Sequence, residues 1–219
     1  TASDNAKQDY CIDLGAGPLV NTHALQGLYR HVLAIDLSHT MLKSSNVDAP
    51  RICADMDNLP LQENSVDVVF SNFAVQWSAN FETLMHALYK TLKPGGRAYI
   101  SAVVEGSLHE IKTAFSVLDS HSRINRFQTQ SNINQSVINA GFIVNSATKV
   151  IYTDQFTNPL SAIHSIKAIG ATSQNHSTQR AGLLTKSALK KVCAAYPLLN
   201  NQAHVSYHVV LLSLEKVKT

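Results

Sequence analysis

Short β-rich apolar runs recur along the first half of the chain at Tyr10 to Leu14, Val32 to Ile35, Val66 to Ser71 and Arg97 to Val103. Segments of helical or turn character separate them, and that alternation predicts βαβ units and a mainly parallel sheet covered on both faces. Thr22 to Tyr29 is a short helix candidate. A clearer helix follows Asn80, a good N-cap, because Phe81, Leu84, Met85, Leu88 and Leu92 recur at helical spacing. The run KPGG at 93–96 ends it and turns the chain into the next strand. Beyond Val104 the pattern loosens. Leu108 to Leu118 and Asn132 to Ala140 read as helices, Gly141 stops the second, and FIVNSATKVIY reads as a strand. Residues 158–200 read as helix and loop before a last β-rich run at His204 to Leu214, hence as an insertion that carries substrate specificity within one domain spanning 1–219.

Composition narrows the class. A chain of 219 residues, 45% hydrophobic and 15% charged, is globular and long enough for a sizeable core. No run approaches a membrane span, and the polar opening TASDNAKQDY has no signal-peptide pattern, so the expectation is a soluble, cytoplasmic protein. The three cysteines, Cys11, Cys53 and Cys193, lack CxxC spacing and fit a reducing compartment. A net charge of +3 without a dense basic stripe argues against nucleic acid, and the ten histidines form no short ligand pair that would suggest a metal.

Chemistry concentrates at the strand ends. In CIDLGAGPLV (11–20) the first strand runs into a turn where Gly15 and Gly17 would let the backbone approach a ligand, and Asp13 can accept from an amine or order a water. Asp36 closes the next strand about 20 residues later, where a carboxylate can accept both ribose hydroxyls of an adenosine. Asp55 follows a third short strand as a partner for an adenine amino group, with Met56 and Leu59 to pack against the ring. Each acid alone is more often a helix cap or turn former. Their succession at three strand ends points to an adenosine site.

These residues resemble the class I S-adenosylmethionine-dependent methyltransferases through DLGAG (13–17), AIDLS (34–38), ADMDNLPL (54–61), SVDVVFSNFAVQW (65–77) and LKPGGR (92–97). The resemblance implies a Rossmann-like seven-stranded sheet, mostly parallel with the last strand antiparallel. It also implies cofactor contacts at Asp13, Gly15, Gly17, Asp36, Leu37, Asp55, Met56 and Asn72. A nicotinamide oxidoreductase would want GxGxxG, and position 20 is Val20. The common turn of the resembled family is GxGxG, whereas Leu19, preceded by Pro18, takes the third glycine position. The family usually carries a helical, aromatic-containing segment ahead of the first strand, where about ten residues stand here.

Three segments sharpen the resemblance toward the malonyl-[acyl-carrier protein] O-methyltransferases of biotin synthesis: SNFAVQW (71–77), GSLHEIKTAF continuing to HSRINRF (106–127), and IKAIGATSQN with GLLTKSAL (166–189). That family methylates the free carboxylate of malonyl held on acyl carrier protein, or by extension on CoA. A carboxylate, whose ordinary pKa is about 4, is already ionised and needs no general base. It does need a cation against desolvation. Arg126 is the first candidate, since a guanidinium holds a carboxylate bidentately, followed by His109 and Lys167. Gln76 and Trp77 are placed to line the methyl-transfer channel, with a core role the alternative for Trp77. Lys186, Lys190 and Arg180 form either a carrier-steering patch or an ordinary solvated face. Two other readings stay open: a small-molecule acceptor such as a quinone precursor, and a cofactor-binding regulatory protein without turnover.

Overall fold

The computed structural model describes residues 10–118, 127–168 and 185–218. In chain order the elements are β1 (Tyr10–Leu14), α1 (Val20–Gln26), β2 (His31–Asp36), α2 (His39–Lys43), β3 (Arg51–Cys53), β4 (Val66–Asn72), α3 (Phe81–Thr91) and β5 (Leu92–Val103). Then come α4 (His109–Phe115), α5 (Gln130–Asn139), β6 (Ile143–Phe156), α6 (Pro159–Ala168), α7 (Lys186–Ala194), β7 (Leu198–Leu199) and β8 (Gln202–Glu215). They divide into two units. The first holds the described residues up to Val103, Gln128–Lys149 and the chain from Val210; the second holds those of Val104–Phe127 and Val150–Val209.

The strand order is β3-β2-β1-β4-β5-β8-β6, with β1 to β5 parallel neighbours along it. The last strand is antiparallel: Gly95 donates its N–H to the Lys216 carbonyl (3.0 Å), and Lys216 donates back to that of Gly96 (2.9 Å). Seven strands follow the expected path. An eighth, β7, pairs antiparallel with β8 through Asn200 and Asn201, whose φ values of 51° and 60° make the twisted two-residue hairpin that asparagine tolerates. The chain runs from β1 outward through β2 and β3, then returns to β4 on the other side of β1. That reversal opens a crevice at the carboxyl ends of β1 and β4, where open α/β sheets bind ligands.

Local chemistry explains the elements around it. Asn80 caps α3, its Oδ1 accepting from the Thr83 N–H at 3.1 Å, and Phe81, Leu84, Met85 and Leu88 are all buried. Each such side chain contributes about 1.5–3 kcal/mol by leaving water. At the other end of the helix, Lys216 donates to the Leu92 carbonyl (2.7 Å) and to Asn64 Oδ1 (2.8 Å), with its ammonium 4.9 Å from the Tyr89 ring centre. Residues 93–96 belong to β5 rather than to a separate turn. The positive φ of Gly95 (76°) and a register shift between Val66 and Val68 absorb the bend. Helix α2 and the 3-10 turns at Met56–Asn58 and Val75–Trp77 are too short to leave a periodic stripe in the sequence.

The second unit has its own apolar cluster, including Leu108, Ile111, Ile163, Ile166, Val192 and Val205. Inside it the buried Glu110 carboxylate accepts from the Ser206 hydroxyl (2.5 Å) and N–H (3.1 Å), tying α4 to β8.

Leu19, at the third glycine position, starts α1 in the left-handed region (φ 62°) and is fully buried beside Ala16, Ala34 and Leu42. The strain costs about 1–2 kcal/mol, while removing a buried leucine costs about 2–5 kcal/mol. Burial therefore wins. Leu19→Gly is expected to lower the unfolding free energy in urea by about 1–3 kcal/mol; a gain in stability would show that strain decides at this position.

Candidate functional site

The turn after β1 is tied to the end of β2. Gly15 and Ala16 both donate to the Ile35 carbonyl (2.8 and 3.1 Å), and Gly17 donates to Asp36 Oδ2 (2.8 Å). Asp36 Oδ1 accepts from the Ser38 N–H at 2.7 Å, which leaves each oxygen a second lone pair. All three N–H groups of the turn are thus committed to protein acceptors, one of them an anion.

The two glycines do different work. A Cβ on Gly15 (φ 73°) would lie 2.1 Å from the Ala74 Cβ, so its missing side chain makes room for the loop after β4. At Gly17 (φ 52°) a Cβ would meet nothing within 4 Å. The open backbone surface expected of both belongs to Gly17.

Asp13 is buried at the end of β1. Its Oδ2 accepts from the Thr22 hydroxyl at 2.6 Å, whereas Oδ1 has no partner among the described residues. Burial pushes its carboxyl above the ordinary value, the Asp36 charge adds to the rise, and the Thr22 bond opposes it. An orphaned carboxylate oxygen beside a second acid calls for a cationic donor. Asp55 is exposed and accepts from the Asp57 N–H (3.0 Å), so it caps the 3-10 turn that follows. Asp57 in turn accepts from the Ser78 hydroxyl and the Ala79 N–H, clasping the two loops together. Leu37, 68% exposed at the end of β2, and half-buried Met56 provide apolar surface beside the acids.

The loop after β4 carries the remaining candidates of this unit. Asn72 Oδ1 accepts from the Ser101 hydroxyl (2.5 Å), Gln76 Nε2 donates to the Phe73 carbonyl (2.6 Å), and Trp77 is partly exposed. Gln76 Oε1 is buried without a partner among the described residues. The structure thus brings Asp13, Gly15, Gly17, Asp36, Leu37, Asp55, Met56, Asn72, Gln76 and Trp77 into one unit. His109, Lys167, Lys186 and Lys190 belong to the other. His109 is mostly exposed, its Nε2 3.4 Å from Glu110 Oε1, and Lys186 and Lys190 share an exposed face of α7. Arg126 and Arg180 lie outside the described residues. Thr22, Ala74 and Ser101 take part in the site without having stood out in the sequence.

Residues 12–100 match the family described as a methyltransferase domain. The chain is 33% identical over 189 residues to the biotin biosynthesis bifunctional protein BioHC of Cellvibrio japonicus, covering 84% of this chain and 38% of that protein. It is 30% identical over 202 residues to the malonyl-[acyl-carrier protein] O-methyltransferase of Yersinia pestis, covering 91% of this chain and 74% of the relative. The chain belongs to the malonyl-[acyl-carrier protein] O-methyltransferase family. A solved S-adenosylmethionine-dependent methyltransferase of Listeria monocytogenes shares the fold, with a TM-score of 0.56 at 17% identity over 96% of this chain and 92% of that one. A solved methyltransferase of Bacillus halodurans shares the fold, with a TM-score of 0.67 at 15% identity over 96% of this chain and 94% of that one. The site fits S-adenosylmethionine. A sulfonium and an ammonium suit the orphaned Asp13 oxygen and its acidic neighbour, and bare Gly17 leaves room. When bound, the cofactor supplies an electrophilic methyl on a positively charged sulfur.

The raised pKa of Asp13 has a definite sign. Above the ordinary value of 3.8 the unfolded chain releases this proton while the folded chain still holds it, so stability falls as pH rises through that window and stays lower beyond it. Asp13→Asn is expected to melt higher than the wild type near neutral pH and to bind S-adenosylhomocysteine more weakly. Identical melting profiles across pH 4–8 would contradict the assignment.

Proposed function

We propose that this methyltransferase moves the methyl group of S-adenosylmethionine to the free carboxylate of malonyl carried on acyl carrier protein, forming the malonyl methyl ester. The observation that carries this reading is the extent of similarity. The match to the Yersinia pestis relative runs over 202 residues, far beyond the cofactor-binding region at 12–100, and takes in most of the segments that lie outside it.

The chemistry asks little of the side chains beyond placement. One carboxylate oxygen bonds to the methyl carbon as the sulfur–methyl bond breaks, and no proton has to move, because the acceptor is ionised at neutral pH. Holding two reactants in line supplies on the order of 7–11 kcal/mol. In this reading Asp13, Asp36 and Gly17 hold the cofactor, with Leu37, Asp55 and Met56 at its adenosine end. Gln76 and Trp77 border the transfer channel, and Arg126, His109 and Lys167 are candidates to neutralise the acceptor.

The exposed Lys186 and Lys190 fit the steering of an acidic carrier, as does Arg180 in the sequence; such steering raises the association rate and weakens with salt. A cytoplasmic setting belongs to the same proposal. Incubation with S-adenosylmethionine and malonyl-carrier protein is expected to add one methyl to the carrier by mass spectrometry, faster than to malonyl-CoA at equal concentration. No methyl ester on the carrier would overturn the reading.

A further inference from the structure

Asn72 ends β4, and Ser101 stands directly beside it on β5. The Ser101 hydroxyl donates to Asn72 Oδ1 (2.5 Å) and accepts from the Phe73 N–H (3.0 Å), which it shares with the Ser101 carbonyl (3.1 Å). A serine has a single proton to give, and here it goes to the asparagine. The amide carbonyl is therefore consumed, and the end left over is the NH2, which makes no hydrogen bond among the described residues. Phe73 is held in the left-handed region (φ 52°), pinned at its N–H by Ser101 and at its carbonyl by Gln76. Non-glycine residues stay in that region only where their surroundings fix them, and such sites cluster where function requires the geometry.

Strand order sets the neighbours of this amide. Asp13 and Asp36, at the ends of β1 and β2, lie on one side of β4. Asn72 and Ser101 border a hollow of about 300 Å3 over β4, β5 and β8, lined also by Phe70, Tyr99, Leu211 and Ser213. Acids stand at the ends of β1 and β2, and at the end of β4 stands an amide left with donors only. A carboxylate that leaves water needs donors to replace its hydration.

We propose that Asn72 donates to the acceptor carboxylate through Nδ2 and that Ser101 is the positioning residue that keeps the amide turned that way. The inference rests on the acceptor reading given above. Its test compares the wild type with Ser101→Ala, Ser101→Thr and Asn72→Asp, measuring methyl transfer to malonyl-carrier protein and, by calorimetry, the binding of S-adenosylhomocysteine.

Ser101→Ala is expected to raise the KM for malonyl-carrier protein about 10-fold, and Asn72→Asp, of equal size but without a donor when ionised, about 100-fold. Ser101→Thr keeps the hydroxyl and is expected to stay within about threefold of the wild type, as is the calorimetric affinity of the two Ser101 variants. Wild-type KM in both Ser101→Ala and Asn72→Asp would overturn the inference alone. Loss of S-adenosylhomocysteine affinity in step with KM would also overturn it, by placing the amide on the cofactor. A wild type that methylates no malonyl-carrier protein would overturn the acceptor reading and this inference together.

Discussion

The site depends on one steric fact: the loop after β4 occupies the space that a side chain on Gly15 would fill. The turn after β1 and the loop after β4 flank the reversal in strand order, and Ala74 packs against the bare Cα of Gly15 across it. That contact adds to the pairing of β1 with β4 and to the bond from the Ser71 hydroxyl to the Leu14 carbonyl (2.8 Å) in holding the two loops in register. Because both ends of the crevice are then fixed, Gly17 can remain open, Asp13 can stay buried with an unfilled oxygen, and the strained turn at Phe73 has a rigid neighbour. Asp57 reinforces the arrangement by binding Ser78 and Ala79 at the far end of the same loop.

The charges divide along the same line. Two acids meet at the ends of β1 and β2, one of them buried and short of a donor, which destabilises the free protein and suits a cofactor that carries positive charge. At the end of β4 the polar group on offer is an amide whose acceptor is already used. A transfer from a sulfonium to a carboxylate needs this asymmetry, with anionic protein groups beside the cation and donors beside the anion. Reversing it would require desolvating a charge against a like-charged wall.

Much of this was legible in the sequence because it is local. The strand positions follow from short β-branched runs, α3 from an asparagine cap and a regular apolar stripe, and the acids from their recurrence at strand ends. Other features rest on residues far apart in the chain. Nothing in DLGAG reveals that Gly15 faces Ala74, and nothing in SNFAVQW reveals that Ser101 turns the Asn72 amide. Leu19 read as a departure from the usual glycine turn, yet it keeps the left-handed backbone and adds a buried side chain. The short β7 hairpin and α2 escaped because two to five residues show no period. His109, Lys167, Lys186 and Lys190 stand out by resemblance and charge, and neither signal says where a side chain sits.

The interlock of Gly15 with Ala74 can be measured directly as the affinity for S-adenosylhomocysteine by calorimetry in Gly15→Ala and in the double variant Gly15→Ala/Ala74→Gly. The single change should abolish detectable binding, and the double change should restore a large part of it by vacating the contested space, with a residual deficit from the left-handed backbone at position 15. Wild-type affinity in the single variant, or a double variant no better than the single, would contradict the account.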